Sequence, residues 1–120
     1  MIRFLNAQTE RRLDSNGAGE AYGNRANNDL YQVWEIINTV DNSINLKNFA
    51  TGLYLDSDGK GEVCALPGNG SAHQRWRFDS LRIINVATGG ALDSNNAGDI
   101  YLLEPNGENC QNWIREYIYE

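Results

Sequence analysis

No stretch of the chain approaches the roughly 18–20 consecutive apolar residues that a membrane-spanning helix needs, so membrane insertion is not expected. There is no run of Lys or Arg either. With 10 basic against 16 acidic residues and a formal net charge of −6, a nucleic-acid partner is not expected, because such binders carry basic patches. His73 is the one histidine, which leaves little material for a Ser-His-Asp arrangement. The first ten residues hold no long apolar h-region, so no signal peptide is expected in this chain. The protein is then either cytoplasmic or a mature secreted form. No segment follows a helical period over two turns.

What the sequence does have is repetition. LDSNGAG at 13–19 returns as LDSDGKG at 55–61 and LDSNNAG at 92–98. Upstream, Asn6-Ala7-Gln8-Thr9 matches Asn48-Phe49-Ala50-Thr51 and Asn85-Val86-Ala87-Thr88. Downstream, each copy closes on Gln-x-Trp: Gln32 and Trp34, Gln74 and Trp76, Gln111 and Trp113. The Gln follows the Asp of its copy by 18 residues every time. The copies start 42 and then 37 residues apart, and the surplus falls around Ile37–Ile44, which predicts a longer hairpin there.

Within a copy, short alternating runs sit between turn residues: Ile2–Leu5, Arg11–Ser15, Glu20–Tyr22 and Val33–Ile37. Four strands per copy and three copies predict an all-β protein of twelve strands. A β-trefoil with pseudo-threefold symmetry fits best, since a propeller needs at least four blades. The 120 residues are expected to form one domain, 1–120, with modules of about 1–40, 41–79 and 80–120. The three Trp residues hold one place in the pattern and are expected in a shared core layer.

Three LDS turns in register with three Gln-x-Trp closures resemble the ricin-B type lectins, and within them the actinohivin-like three-module β-trefoil lectins. The resemblance covers nearly the whole chain. It implies a carbohydrate-binding lectin, multivalent, for which mannose-type (high-mannose) ends are the nearest precedent. Galactose or GalNAc specificity, a polysaccharide-binding module of a hydrolase, and a trefoil scaffold that binds protein are the alternatives. Partners are then glycans and glycoproteins, with a monomer as the default state. No cofactor, metal or catalytic residue is expected.

Sugar chemistry agrees with that implication. A carboxylate accepts hydrogen bonds from vicinal hydroxyls, an aromatic ring covers the C–H face, and an Asn amide both donates and accepts. The family pattern carries an aromatic, an Asn and a second aromatic 8, 13 and 17 residues after the Asp. Module one supplies Asp14, Tyr22, Asn27 and Tyr31. Module two supplies Asp56, Cys64, Asn69 and His73, and module three Asp93, Tyr101, Asn106 and Cys110. An apolar wall ten residues after the Asp is Leu66 or Leu103, but Asn24 in module one. Gln32, Gln74 and Gln111 are expected to orient the carboxylates from behind.

Each of these residues has a plainer reading. The three Asp residues could merely cap their own turns as Asx motifs, and the Gln residues could bond only backbone. Asp56-Ser57-Asp58-Gly59-Lys60-Gly61-Glu62 begins like a calcium loop, but the twelfth place is Pro67 where an EF-hand needs Glu. A Cys64–His73 nucleophile pair lacks any orienting partner in the sequence. Cys64 and Cys110 hold non-equivalent places in different modules, so two free thiols are expected.

Overall fold

The computed structural model describes residues 1–118 and contains twelve strands. They are β1 (Ile2–Asn6), β2 (Arg11–Ser15), β3 (Ala21–Arg25), β4 (Trp34–Asn38), β5 (Ile44–Asn48), β6 (Tyr54–Ser57), β7 (Val63–Leu66), β8 (Trp76–Asp79), β9 (Arg82–Asn85), β10 (Ala91–Ser94), β11 (Ile100–Leu103) and β12 (Trp113–Tyr117). Each repeat contributes four. Single 3-10 turns, Leu30–Gln32, Ala72–Gln74 and Asn109–Gln111, lead into the Trp-bearing strands. The β4–β5 connection holds an extra 3-10 turn, Val40–Asn42. There the sequence carries its surplus, whereas β8 and β9 are joined by two residues alone.

Six strands form a closed barrel. β1 pairs with β12 and β4, β5 with β4 and β8, and β8 with β9. The Trp113 N–H donates to Leu81 O at 2.9 Å and completes the ring between β12 and the start of β9. The other six strands make three hairpins, β2–β3, β6–β7 and β10–β11, over one end of the barrel. This is the pseudo-threefold β-trefoil.

Period-two alternation puts the core residues in matching places. Phe4, Leu46 and Ile83 are one set, and Leu13, Leu55 and Leu92 another. Trp34, Trp76 and Trp113 are fully buried among them. Each indole N–H donates to the carbonyl of the residue just before the repeated Asp: Leu13 at 3.1 Å, Leu55 at 3.0 Å and Leu92 at 2.9 Å. The Trp therefore does two things. It fills the core, and it pins the strand that carries the Asp.

The repeated loop is also the seam between modules. Gly19 O accepts from Ala65 N–H at 2.8 Å, Gly61 O from Leu102 N–H at 2.9 Å, and Gly98 O from Gly23 N–H at 2.7 Å. Each repeat thus docks on the next, and the third docks on the first. A methyl group at Gly19 would lie 2.5 Å from Ala65 O, and one at Gly98 2.5 Å from Gly23 O. Their φ angles, +84° and +88°, also favour glycine over any L side chain.

Behind each hairpin the repeats exchange volume. Arg11 packs over Gly23, Leu53 stands with Ala65, and Gly90 lies against Leu102. A large residue on one strand matches a small one on its partner, so the space stays filled while the sequence changes.

Candidate functional site

On each hairpin the cross-strand register sets the residues that share a face. Asp14 stands opposite Tyr22, Asp56 opposite Cys64 and Asp93 opposite Tyr101. Two residues along the same face, Arg12 meets Asn24, Tyr54 meets Leu66 and Ala91 meets Leu103. The Asp and the positions 8 and 10 residues after it are therefore neighbours in every repeat. Leu66 and Leu103 are exposed, at 45% and 50%, so an apolar wall stands at the mouth of two of the three sites.

The three carboxylates are buried, at 3–5% exposure. Gln32 Nε2 donates to Asp14 Oδ2 at 3.0 Å, Gln74 to Asp56 at 2.9 Å and Gln111 to Asp93 at 3.1 Å. The same amides also donate to the carbonyls of Arg25, Pro67 and Glu104. Their oxygens accept the N–H of Asn27, Asn69 and Asn106 at 2.8–3.0 Å. Each Gln amide thus joins the carboxylate to the loop that carries the Asn. The backbone-only reading of the Gln residues is set aside by these bonds.

The turn-cap reading of the Asp residues fails for a similar reason. The acceptor that closes each turn lies two residues later. Asn16 Oδ1 accepts from Ala18 and Glu20 N–H, Asp58 from Lys60 and Glu62, and Asn95 from Ala97 and Asp99. Asp58 is held below the usual carboxylate range by the Glu62 and then the Lys60 backbone N–H. It caps a turn. Among the described residues no group of three or more His, Cys, Asp or Glu comes together in a way that could hold a metal.

Occupancy of the carboxylates differs between repeats. Asp14 also accepts from Ser15 N–H and from Asn24 Nδ2, at 2.7 and 3.1 Å. Asp93 accepts from Ser94 N–H, while Asp56 has Gln74 as its one partner among the described residues. A carboxylate offers about four lone-pair sites, so Asp14 keeps the fewest free.

Asn27, Asn69 and Asn106 differ from the expectation of a group that both donates and accepts. Their carbonyls are spent on the N–H of Asp29, Ser71 and Glu108 at 2.8–2.9 Å. The NH2 groups remain as donors. Burial, and then the facing Asp14 or Asp93, raises the phenol pKa of Tyr22 and Tyr101, so both stay neutral donors at neutral pH. Burial and Asp56 raise the Cys64 thiol, and burial and Asp93 raise Cys110. Both thiols are free, and neither is activated, which removes the basis for a Cys64–His73 nucleophile. His73 keeps a buried Nδ1 without a partner.

In module one, Asp14, Tyr22, Asn27 and Tyr31 line a single cavity of about 190 Å³ with Asn16, Asn24 and Asp29. Two contributors were not anticipated from sequence. Tyr54 shares the face of Asp56 and Leu66 and gives module two an aromatic ring after both expected Tyr positions are lost. Strand alternation from Asp56 was the signal for it. Asn6, Asn48 and Asn85 are buried, and their amides hold the carbonyls of Cys110, Tyr31 and His73 at 2.8–2.9 Å. Each repeat so fixes the rim residue of a neighbour, a long-range link that local spacing does not reveal.

The family model "Ricin-type beta-trefoil lectin domain-like" matches residues 30–113. The chain belongs to this family. As a ricin-type β-trefoil lectin-like domain it has a carbohydrate-binding role. Among solved structures it is similar to ThreeFoil, a designed 3-fold symmetric protein, with TM-score 0.88, 20% identity and 98% of both chains covered. It is also similar to 1,3Gal43A, an exo-beta-1,3-galactanase from Clostridium thermocellum (TM-score 0.88, 18% identity, 98% of this chain). A third similar structure is a mosquitocidal holotoxin (TM-score 0.91, 16% identity, 98% of this chain). The lectin-like chain spans 30% of the galactanase and 17% of the holotoxin. No curated protein matches the chain. No described helix is long and apolar enough to cross a membrane.

Proposed function

We propose that the protein is a multivalent lectin that binds glycans without catalysis, one sugar at each Asp–Gln pair. Mannose-type ends of branched glycans are its ligands. The observation that carries this reading is the Gln amide, which bridges carboxylate and Asn loop alike in three repeats. A turn needs no such bridge. A sugar site does, because the carboxylate must be aimed before the ligand arrives. In each site the carboxylate accepts sugar hydroxyls, the Asn NH2 donates, and Tyr22, Tyr101, Leu66 or Leu103 covers the ring's apolar face.

Each site is open and makes few bonds. A hydrogen bond to sugar replaces one to water and contributes about 0.5–1.5 kcal/mol net, so one site binds weakly. Three sites on one rigid body raise avidity roughly 10²–10⁴-fold where branches match their span. The test is a glycan array, followed by titration of a dimannoside and of a high-mannose glycoprotein with turbidity read in the same tubes. Far tighter binding of the glycoprotein, with cross-linking, is expected. Equal affinity without cross-linking sinks the multivalent reading. A polysaccharide-binding module is the second reading, favoured by the galactanase similarity, and an array response to long galactan or xylan alone would select it.

A further inference from the structure

Arg11 and Arg25 stand directly opposite each other across β2 and β3. Like charges in that position destabilise a hairpin, and among the described residues neither guanidinium forms an ion pair. Arg11 makes one long contact, Nη1 to Gly23 O at 3.4 Å, while its stem packs over Gly23. The corresponding pairs are Leu53 with Pro67 and Gly90 with Glu104, so the double cation belongs to module one alone. It lines a cavity of about 560 Å³ with Thr9, Glu10 and Asn24. Glu10 leaves that groove net positive, in a chain whose net charge is −6. Asn24 also lines the Asp14 cavity, so the two spaces adjoin.

We propose that this groove is an anion subsite, which takes a sulfate ester or a carboxylate on the sugar residue next to the one held at Asp14. The proposal rests on the reading of the Asp14 cavity as a sugar site. Two guanidinium forks suit an oxyanion better than a neutral hydroxyl. The anion removes the repulsion between them, and Asn24 lies where the glycan crosses from one cavity to the other. Module one, whose carboxylate is the most occupied, would so gain its affinity from outside the Asp. The lectin then has one site for acidic glycans and two for neutral ends.

The test is calorimetric titration with three probes: an α-linked dimannoside, the same dimannoside sulfated on one residue, and one that carries a uronic acid in place of that residue. At low salt at least one acidic probe is expected to bind about tenfold or more tighter than the neutral one. The advantage should vanish in Arg25→Gln and at high salt, while the neutral probe is unaffected. Arg11→Gln should act likewise, but Arg25 is exposed, so its variant folds and carries the result alone. If all three probes bind equally, or if the advantage survives Arg25→Gln, the anion subsite is overturned and the sugar reading stands. If no probe binds, the sugar reading falls and takes the subsite with it.

Discussion

Modules two and three carry the same floor under different rims. Across β10–β11, Asp93 faces a tyrosine; across β6–β7, Asp56 faces a cysteine. Underneath, the Gln-to-Asp bonds are 3.1 and 2.9 Å, and the bonds from Gln to the loop carbonyls are 2.9 Å in both. The floor is part of the fold, because the Trp two residues after the Gln is buried in the core and holds the strand before the Asp. The rim touches solvent and can change without strain. Shared structure therefore does not entail shared affinity.

The strongest way to break the comparison is to remove the floor. Trp76→Ala deletes a large buried aromatic and should cost about 3–5 kcal/mol. Because the core is common to all repeats, thermal unfolding should remain one transition at a much lower Tm, with binding lost in modules two and three together. A mild effect would mean that the indoles do not carry the fold. Next comes the seam. Gly98→Ala forces a methyl onto Gly23 O at a φ of +88° and should cost about 1–3 kcal/mol. Gly17→Ala, with nothing within 4 Å, serves as the control in the same chemical-denaturation series, and equal costs would refute the seam.

The rim is tested by charge. Asp93→Asn keeps the shape and an acceptor for Gln111 but removes the carboxylate, and should weaken dimannoside binding about tenfold at that site, within the range for bonds to charged groups. Asp56→Asn should matter less, since Cys64 and His73 replace the expected aromatic positions. If Asp56→Asn alone abolishes binding, the ranking of the sites is wrong. The smallest effect belongs to Asp58. Its folded pKa lies below the unfolded one, so its cap stabilises above the unfolded value, near 3.9, and that contribution is lost as pH falls through the folded value. Asp58→Asn keeps the cap, as Asn16 and Asn95 do, so its Tm should fall less steeply than wild type from about pH 5 downwards. Identical slopes would show that the cap carries no charge dependence.

The strands, the core Trp residues and the Gln register were legible because each depends on spacing within one repeat. The turn chemistry was legible only in part. Asp14 and Asn16 are both good turn acceptors, and sequence alone does not tell which one caps the loop and which one faces the neighbouring strand. Tyr54 escaped because the search ran forward from Asp56 and not back along the strand. The Asn6, Asn48 and Asn85 clamps, the glycine seam and the exchange of volume between Arg11 and Gly23 all join distant residues. No local pattern encodes them.

β1 and β12 pair over five residues, from Ile2 with Tyr117 to Asn6 with Trp113, in the register that joins β4 to β5 within the chain. Ile118 N–H also reaches Met1 O at 2.9 Å. The two ends of the barrel sheet thus lie where a third hairpin would turn. A short linker across that gap, with a cut between β8 and β9, would reorder the modules along the chain and leave every hydrogen bond of the ring in place. The molecule is circular in its contacts, and its linear order is one of three equivalent ways to thread the same ring.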